Sequence, residues 1–305
     1  MNKISPLDSN QVLARHKPRL LVVDDEPDNL DLLYRTFRRE YQVLRAESGR
    51  KALEVLEDDG EVAVIISDQR MPEMTGTEFL SKTVPEFPDT VRIILTGFTD
   101  VEDLVQAINN GQVYRYITKP WEPKTLRQLV QQAAHTYELL KTSNHALYVA
   151  EHQVQLMDRV AQLGEAGRTV DDALQQVVDG WGQTLSAQIC AICCLEEAGI
   201  DSGRTAVYGD LCGQNLRDNP LIQSAIATRT IQTLPDVAAS DVNDALYQLT
   251  ATQAHLVAPI IFHDRLLAVA SFHWLHSYRT LDDVRDILTL PMCQMAQALV
   301  ALRHG

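Results

Sequence analysis

Five polar residues close successive apolar runs near the start of this chain. Asp24 and Asp25 follow residues 20–23, Asp68 follows 62–67, Thr96 follows 91–95, and Lys119 follows 114–118. Short β-rich runs separated by helical-period segments predict parallel strands of a βα sheet, in which chemistry gathers at the carboxyl ends of the strands. The five residues are therefore expected to meet at one site. Three crowded carboxylates repel one another unless a hard cation sits among them, and Mg²⁺ takes a few carboxylates together with waters and phosphate oxygens. With a hydroxyl and an ammonium added, the cluster suits a phosphoryl group. Each residue by itself reads as a solvated acid, a cap or a surface charge; five at successive strand ends argue against that.

The elements that must position these residues follow from the same runs, which read as parallel strands of a βα sheet. The chain there includes residues 22–27 (VVDDEP), 67–76 (SDQRMPEMTG), 95–97 (LTG) and 117–120 (ITKP). In that order and at those separations the fragments resemble the receiver domain of two-component response regulators, over residues 19–140, which implies a doubly wound α/β domain with a five-stranded parallel sheet. The resemblance implies that Asp68 is the phospho-acceptor and that Asp24 and Asp25 hold Mg²⁺ with Asp68 and the backbone carbonyl of Arg70. It further implies that Thr96 and Lys119 engage the phosphoryl oxygens, and that Tyr116 is the aromatic that turns inward on activation.

Composition narrows the class. The chain has 305 residues, enough for about two domains, and a formal charge of −14 with no lysine after Lys141. That balance disfavours a nucleic-acid surface, and the second half shows no helix-turn-helix pattern, so direct DNA binding is not expected. No apolar stretch approaches the ~18 residues of a membrane span. Residues 1–18 read as a flexible leader without the apolar run of a secretory signal, so the expected location is cytoplasmic.

Residues 125–163 contain neither glycine nor proline and predict one long helix, with 125–165 forming a linker that overlaps the last receiver helix. Leu126, Val130, Ala133, Tyr137, Leu140, Asn144 and Leu147 follow a heptad seam, which breaks at Glu151 before Leu156, Val160 and Leu163. Such a seam predicts a two-stranded coiled coil and a homodimer, with Asn144 fixing its register. The first part must also pack on the receiver's own sheet.

The remainder, residues 166–305, predicts an α+β domain with an antiparallel sheet backed by helices on one side. Val170, Ala173, Leu174, Val177, Val178, Trp181 and Leu185 trace an amphipathic helix with Thr169 as its N-cap. Strands are expected at 188–195, 204–208 and 230–234, with a helix from Pro220, a hairpin at 255–273 turning at Asp264 and Arg265, and a last helix at 281–302 that Pro291 should kink. The fragments at 220–222, 228–237, 255–273 and 282–288 resemble a GAF domain, a small-molecule-binding and dimerisation module. The Cys-His pair of bilin-binding members and the Asn-Lys-Phe-Asp-Glu signature of cyclic-nucleotide members are both missing.

Five cysteines, Cys190, Cys193, Cys194, Cys212 and Cys293, form an odd set and read as buried structural thiols, not a metal or redox site. Strand alternation puts Cys190 and Cys194 on one face and Cys193 on the other. His255, His263, His273 and His276 read as sheet-surface or turn residues. The whole is expected to be a non-enzymatic signalling switch. It would take a phosphoryl group from a sensor histidine kinase on Asp68, with Mg²⁺ as cofactor, and relay the change through the helical stalk to the GAF-like part. The competing expectations are a small-molecule or redox sensor whose ligand controls phosphorylation of the receiver, and a phosphotransfer adaptor.

Overall fold

A computed structural model describes residues 17–97, 113–164, 169–196, 199–242, 244–278 and 280–304. The chain divides into two compact units that part between Asn144 and His145.

In the first unit, strands β1 (Arg19–Val23), β2 (Gln42–Ala46), β3 (Val64–Asp68), β4 (Val91–Thr96) and β5 (Arg115–Thr118) form a parallel sheet in the order β2-β1-β3-β4-β5. A strand buried on both faces needs an almost unbroken apolar run, and β1 has one. Leu20 and Val22 enter the core beside helix α1 (Pro27–Phe37), while Leu21 and Val23 enter the core beside α2 (Gly49–Asp59) and α3 (Gly76–Thr83). The long helix α4 (Pro123–Ala161) covers the α1 side with Leu126, Leu129, Val130, Ala133 and Ala134. The first part of the heptad seam is thus committed to the unit's own sheet.

The second unit carries strands β6 (Ile189–Glu196), β7 (Gly199–Tyr208), β8 (Gln232–Leu234), β9 (Ala254–Phe262) and β10 (Arg265–Trp274), antiparallel in the order β7-β6-β10-β9-β8. One face packs on α5 (Val170–Thr184) and α8 (Asp282–His304), which continues as helix through Pro291. Leu156, Val160 and Leu163 belong to this same core, which explains the break in the heptad: beyond Glu151 the apolar residues serve a different neighbour. Trp181 anchors the layer, donating its indole N–H to the Leu156 carbonyl at 3.0 Å.

Four sequence expectations need correction. The sheet is backed on both faces, because the short helices α6 (Pro220–Thr228) and α7 (Ala245–Thr250) cover a second core with Ile222, Ala225, Leu246 and Tyr247. The hairpin turns at His263 and Asp264, one residue earlier than expected, with His263 at φ 40°. Cys190, Cys193 and Cys194 are buried and alternate between the two cores as predicted, but Cys212 and Cys293 are exposed. His255 and His273 are not at the surface: both are fully buried.

Candidate functional site

In a sheet of this order the crossover direction reverses between β1 and β3, and the crevice at their carboxyl ends is where such folds place their chemistry. Asp24 follows β1 and Asp68 ends β3, so the two carboxylates flank that reversal. Asp24 is fully buried and Asp68 nearly so. Lys119, one residue past β5, is drawn to both: its Nζ lies 3.2 Å from Asp24 Oδ2 and forms a close ion pair with Asp68 Oδ1.

Each acid is also gripped by the chain next to it. Asp24 Oδ1 accepts the backbone N–H of Glu26 at 3.0 Å, and the Asn29 amide donates to Oδ1 and Oδ2 at 3.1 and 3.2 Å. Asp68 Oδ2 accepts the backbone N–H of Arg70 at 3.0 Å. Burial raises the Asp68 carboxyl above its ordinary value; Lys119 opposes the rise and Asp24 adds to it. Burial alone would lower the Lys119 ammonium, but the hydrogen bond to Asp68 and the charges of Asp24 and Asp68 leave it raised. One cation is therefore shared between two buried anions, and Asp68 remains under-compensated.

The other predicted residues are distributed around this pair. Thr96 ends β4, buried, with its hydroxyl donating to the Gly97 carbonyl at 3.0 Å and its own carbonyl accepting the Lys119 N–H at 2.7 Å. Asp25 is exposed beside Asp24, and Arg70 is exposed beside Asp68. Tyr116 sits on β5 opposite Ile94 in the strand register, with 36% of its surface exposed. Among the described residues no three His, Cys, Asp or Glu side chains stand close enough to form a ready-made metal cage. What fits a divalent cation here is the donor chemistry: Asp24, Asp25 and Asp68 set three negative charges against one ammonium, and hard oxygen donors suit Mg²⁺.

Three supporting residues escaped the sequence reading of the site. Asn29 is one, and its signal is a spacing of five from Asp24 into the first turn of α1. Gln69 is another: its amide oxygen accepts the Thr77 N–H at 3.1 Å and its nitrogen donates to the Thr77 hydroxyl at 3.3 Å, tying the end of β3 to α3. Gly76 is the third. A Cβ there would lie 2.2 Å from the Asp68 carbonyl oxygen, so only glycine lets α3 approach the strand end this closely. Thr75 and Glu78 start α3 at that point with a reciprocal capping box.

A doubly wound sheet with acids at its reversal point, followed by an antiparallel domain with helices on both faces, is the architecture of a receiver-type module joined to a GAF-type module. Residues 20–131 match the model of the response regulator receiver domain and residues 169–301 that of the GAF domain, and the chain belongs to the response regulators. The hydrogenase transcriptional regulatory protein HoxA of Cupriavidus necator is 42% identical over 120 residues, which are 39% of this chain and 25% of that protein. The transcriptional regulatory protein GlrR of Escherichia coli K12 is 39% identical over 120 residues, 39% of this chain and 27% of that protein. The chain thus spans about a quarter of the length of these relatives. Among solved structures, a response regulator receiver domain protein from Clostridium thermocellum is 28% identical, covering 40% of this chain and 98% of that one, with a TM-score of 0.39.

The raised carboxyl of Asp68 has a consequence for stability. The folded state holds the Asp68 proton more tightly than the unfolded chain, so the ionised group costs stability as pH rises from its ordinary value of 3.8 through the raised one. Asp68→Asn is expected to make the first unit more stable than the parent at pH 7, with the advantage shrinking towards pH 4. Urea unfolding of both proteins at the two pH values checks this; an equal or lower stability of the variant at pH 7 would show that Lys119 fully compensates the charge.

Proposed function

We propose that this chain is a phosphorylation-dependent signalling switch in which Asp68 accepts a phosphoryl group from a sensor histidine kinase. The observation that carries this reading is the sharing of Lys119 between Asp24 and Asp68 at the reversal point of the sheet. An Asp68 carboxylate oxygen attacks the phosphorus, the bond from phosphorus to the donor's histidine nitrogen breaks, and its electron pair stays on that nitrogen, leaving an acyl phosphate. Lys119 is already within reach and moves from carboxylate to phosphoryl oxygen, while the Thr96 hydroxyl turns from the Gly97 carbonyl to another. Mg²⁺, held by Asp24, Asp25, Asp68 and the Arg70 carbonyl, would supply the remaining charge neutralisation. Tyr116, half exposed on β5, would then turn inward, and the helix α4 would pass the change to the GAF domain. On this reading the chain turns over no soluble substrate and does not itself bind DNA.

The stalk reading rests on α4 between the two cores. Leu140, Leu147 and Val154 keep heptad spacing there and are 42, 58 and 62% exposed, which is unusual for three apolar residues on one helical stripe. Pairing with the same stripe of a second copy would bury them. Asn144 does not wait unpartnered for that event, because its amide donates to Asp89 at 2.6 Å within its own chain. Dimer formation through Asn144 would have to displace that bond.

Two outcomes test these readings. A small phosphodonor such as acetyl phosphate should label the protein only with Mg²⁺ present, and Asp68→Asn should reduce labelling by at least a hundredfold; incorporation that survives both this change and a chelator would sink the assignment. Leu147→Lys should weaken self-association at least tenfold in sedimentation experiments while leaving labelling intact, whereas unchanged association would remove the stripe from the interface.

A further inference from the structure

In the second unit, His255 on β9 and His273 on β10 stand opposite each other in the strand register, fully buried, with their rings stacked at 4.0 Å. They lie on the face covered by α6 and α7, and every ring nitrogen has a partner. Tyr247 of α7 meets His255 Nδ1 at 2.8 Å, Ser271 lies 2.8 Å from His255 Nε2 and 2.9 Å from His273 Nε2, and the Thr252 hydroxyl lies 3.4 Å from His273 Nδ1. Thr252 meets Thr250 at 2.6 Å, and Thr250 donates to the Leu246 carbonyl at 2.6 Å.

The direction of every bond in this chain follows from its ends. A carbonyl only accepts, so the single hydrogen of Thr250 goes to Leu246. Thr250 oxygen must then accept from Thr252, and Thr252 oxygen must accept from His273. A neutral His273 protonated at Nδ1 has a bare Nε2, which accepts from Ser271. Ser271 oxygen therefore accepts from His255 Nε2, and the bare Nδ1 of His255 accepts from Tyr247. The far end agrees independently. Asn219 uses its amide oxygen for the N–H groups of Leu221 and Ile222, so its nitrogen is the group turned to Asp244 and the Tyr247 hydroxyl. The Tyr247 oxygen accepts there and its hydrogen is free for His255.

A one-way chain has no place for an added proton. Protonated His255 would aim a second donor at the Tyr247 hydroxyl hydrogen, and protonated His273 would do the same to Ser271; either way a buried hydroxyl loses its acceptor. The groups facing the two rings are Tyr247 from α7, Ser271 from β10 and Thr252 from the turn after α7, with Leu234 and Ile189 beside them in the flanking strands. None is a carboxylate that would welcome the charge; Asp244, at the start of α7, is held by Asn219. Burial lowers both imidazoles, His273 to about 3. Tyr247 and Thr252, on either side of the two rings in this chain, also line a cavity of about 420 Å³ with Val237, Val242 and Gln253.

We propose that this chain is an acid-released latch: with both imidazoles neutral it fastens α7 and the turn at 250–252 to the sheet, and protonation of either ring frees that segment and opens the cavity beside it. Because an exposed histidine titrates near 6.5 and the buried ones far lower, the latch is fully closed above about pH 6.5 and each ring weakens it by up to tenfold per pH unit below.

The test uses the full chain with ¹⁵N-labelled histidine. At pH 7, His255 should carry its proton on Nε2 and His273 on Nδ1, and both should stay neutral to below pH 5. Amide exchange at 245–252, corrected for intrinsic rates, should speed up at least tenfold between pH 6.5 and 4.5 while β6 amides stay protected. Tyr247→Phe and Thr252→Val should show the faster exchange already at pH 7, and Thr252→Ser, which keeps the hydroxyl, should restore the parent's behaviour. Reversed tautomers would overturn the proposal even if a variant does not fold. So would exchange at 245–252 that rises only together with β6, or that ignores loss of the hydroxyls.

Discussion

The first unit is organised around a charge deficit: two buried carboxylates, Asp24 and Asp68, divide one ammonium. In a low-dielectric pocket a carboxylate without full compensation is costly, and a fold keeps such an arrangement only where surrounding structure over-determines it. Here that structure is visible. The Asn29 amide and the Glu26 N–H hold Asp24, the Arg70 N–H holds Asp68, Gln69 bolts the end of β3 to α3, and Gly76 lets α3 come close enough for this to work. The sheet sets the spacing, since β1, β3 and β5 each deliver one member of the triad. A site poised in this way favours whatever brings positive charge to the acids or gives Lys119 a new anion, and those are the two things a metal ion and a phosphoryl group do.

Helix α4 shows how one sequence element serves several environments. Leu126 to Ala134 pack on the parallel sheet, Leu156 and Val160 complete the core of the second unit, and the stripe between them stays open to solvent. The heptad seam in the sequence is therefore a composite of two cores and one exposed stripe. That also accounts for the break at Glu151: beyond it Leu156 and Val160 pack in the core of the second unit.

What could be read in advance follows physical signals that are local. Apolar runs ending in Asp24, Asp68, Thr96 and Lys119 have a period and an end, so the parallel sheet and the meeting of Asp24, Asp68 and Lys119 were legible; β2 carries no site residue and left a weaker signal. The alternation of Cys190, Cys193 and Cys194 between faces was legible for the same reason. His255 and His273 were not, because a histidine in a strand looks polar until its partners are known, and those partners, Tyr247 and Thr252, come from another element. The helix from Pro220 was legible as α6, but its place on the second face was not, and α7 was missed because six residues are too few to show a 3.6-residue period. The bond from Asn144 to Asp89 could not be read either, because its acceptor lies 55 residues away in the chain.

The shared cation can be tested without any phosphodonor. Lys119 Nζ lies 5.8 Å from the centre of the Trp121 ring, and the other two tryptophans, Trp181 and Trp274, are fully buried in the second unit. If Asp24 and Asp68 are short of positive charge, Mg²⁺ should enter, loosen Lys119 and alter Trp121 emission in a saturable way. Fluorescence titration of the parent, Asp24→Asn and Asp68→Asn with Mg²⁺ is the direct measurement. The account predicts a saturable change in the parent that each substitution weakens at least tenfold; a flat titration in the parent, or an unchanged response in both variants, would contradict it.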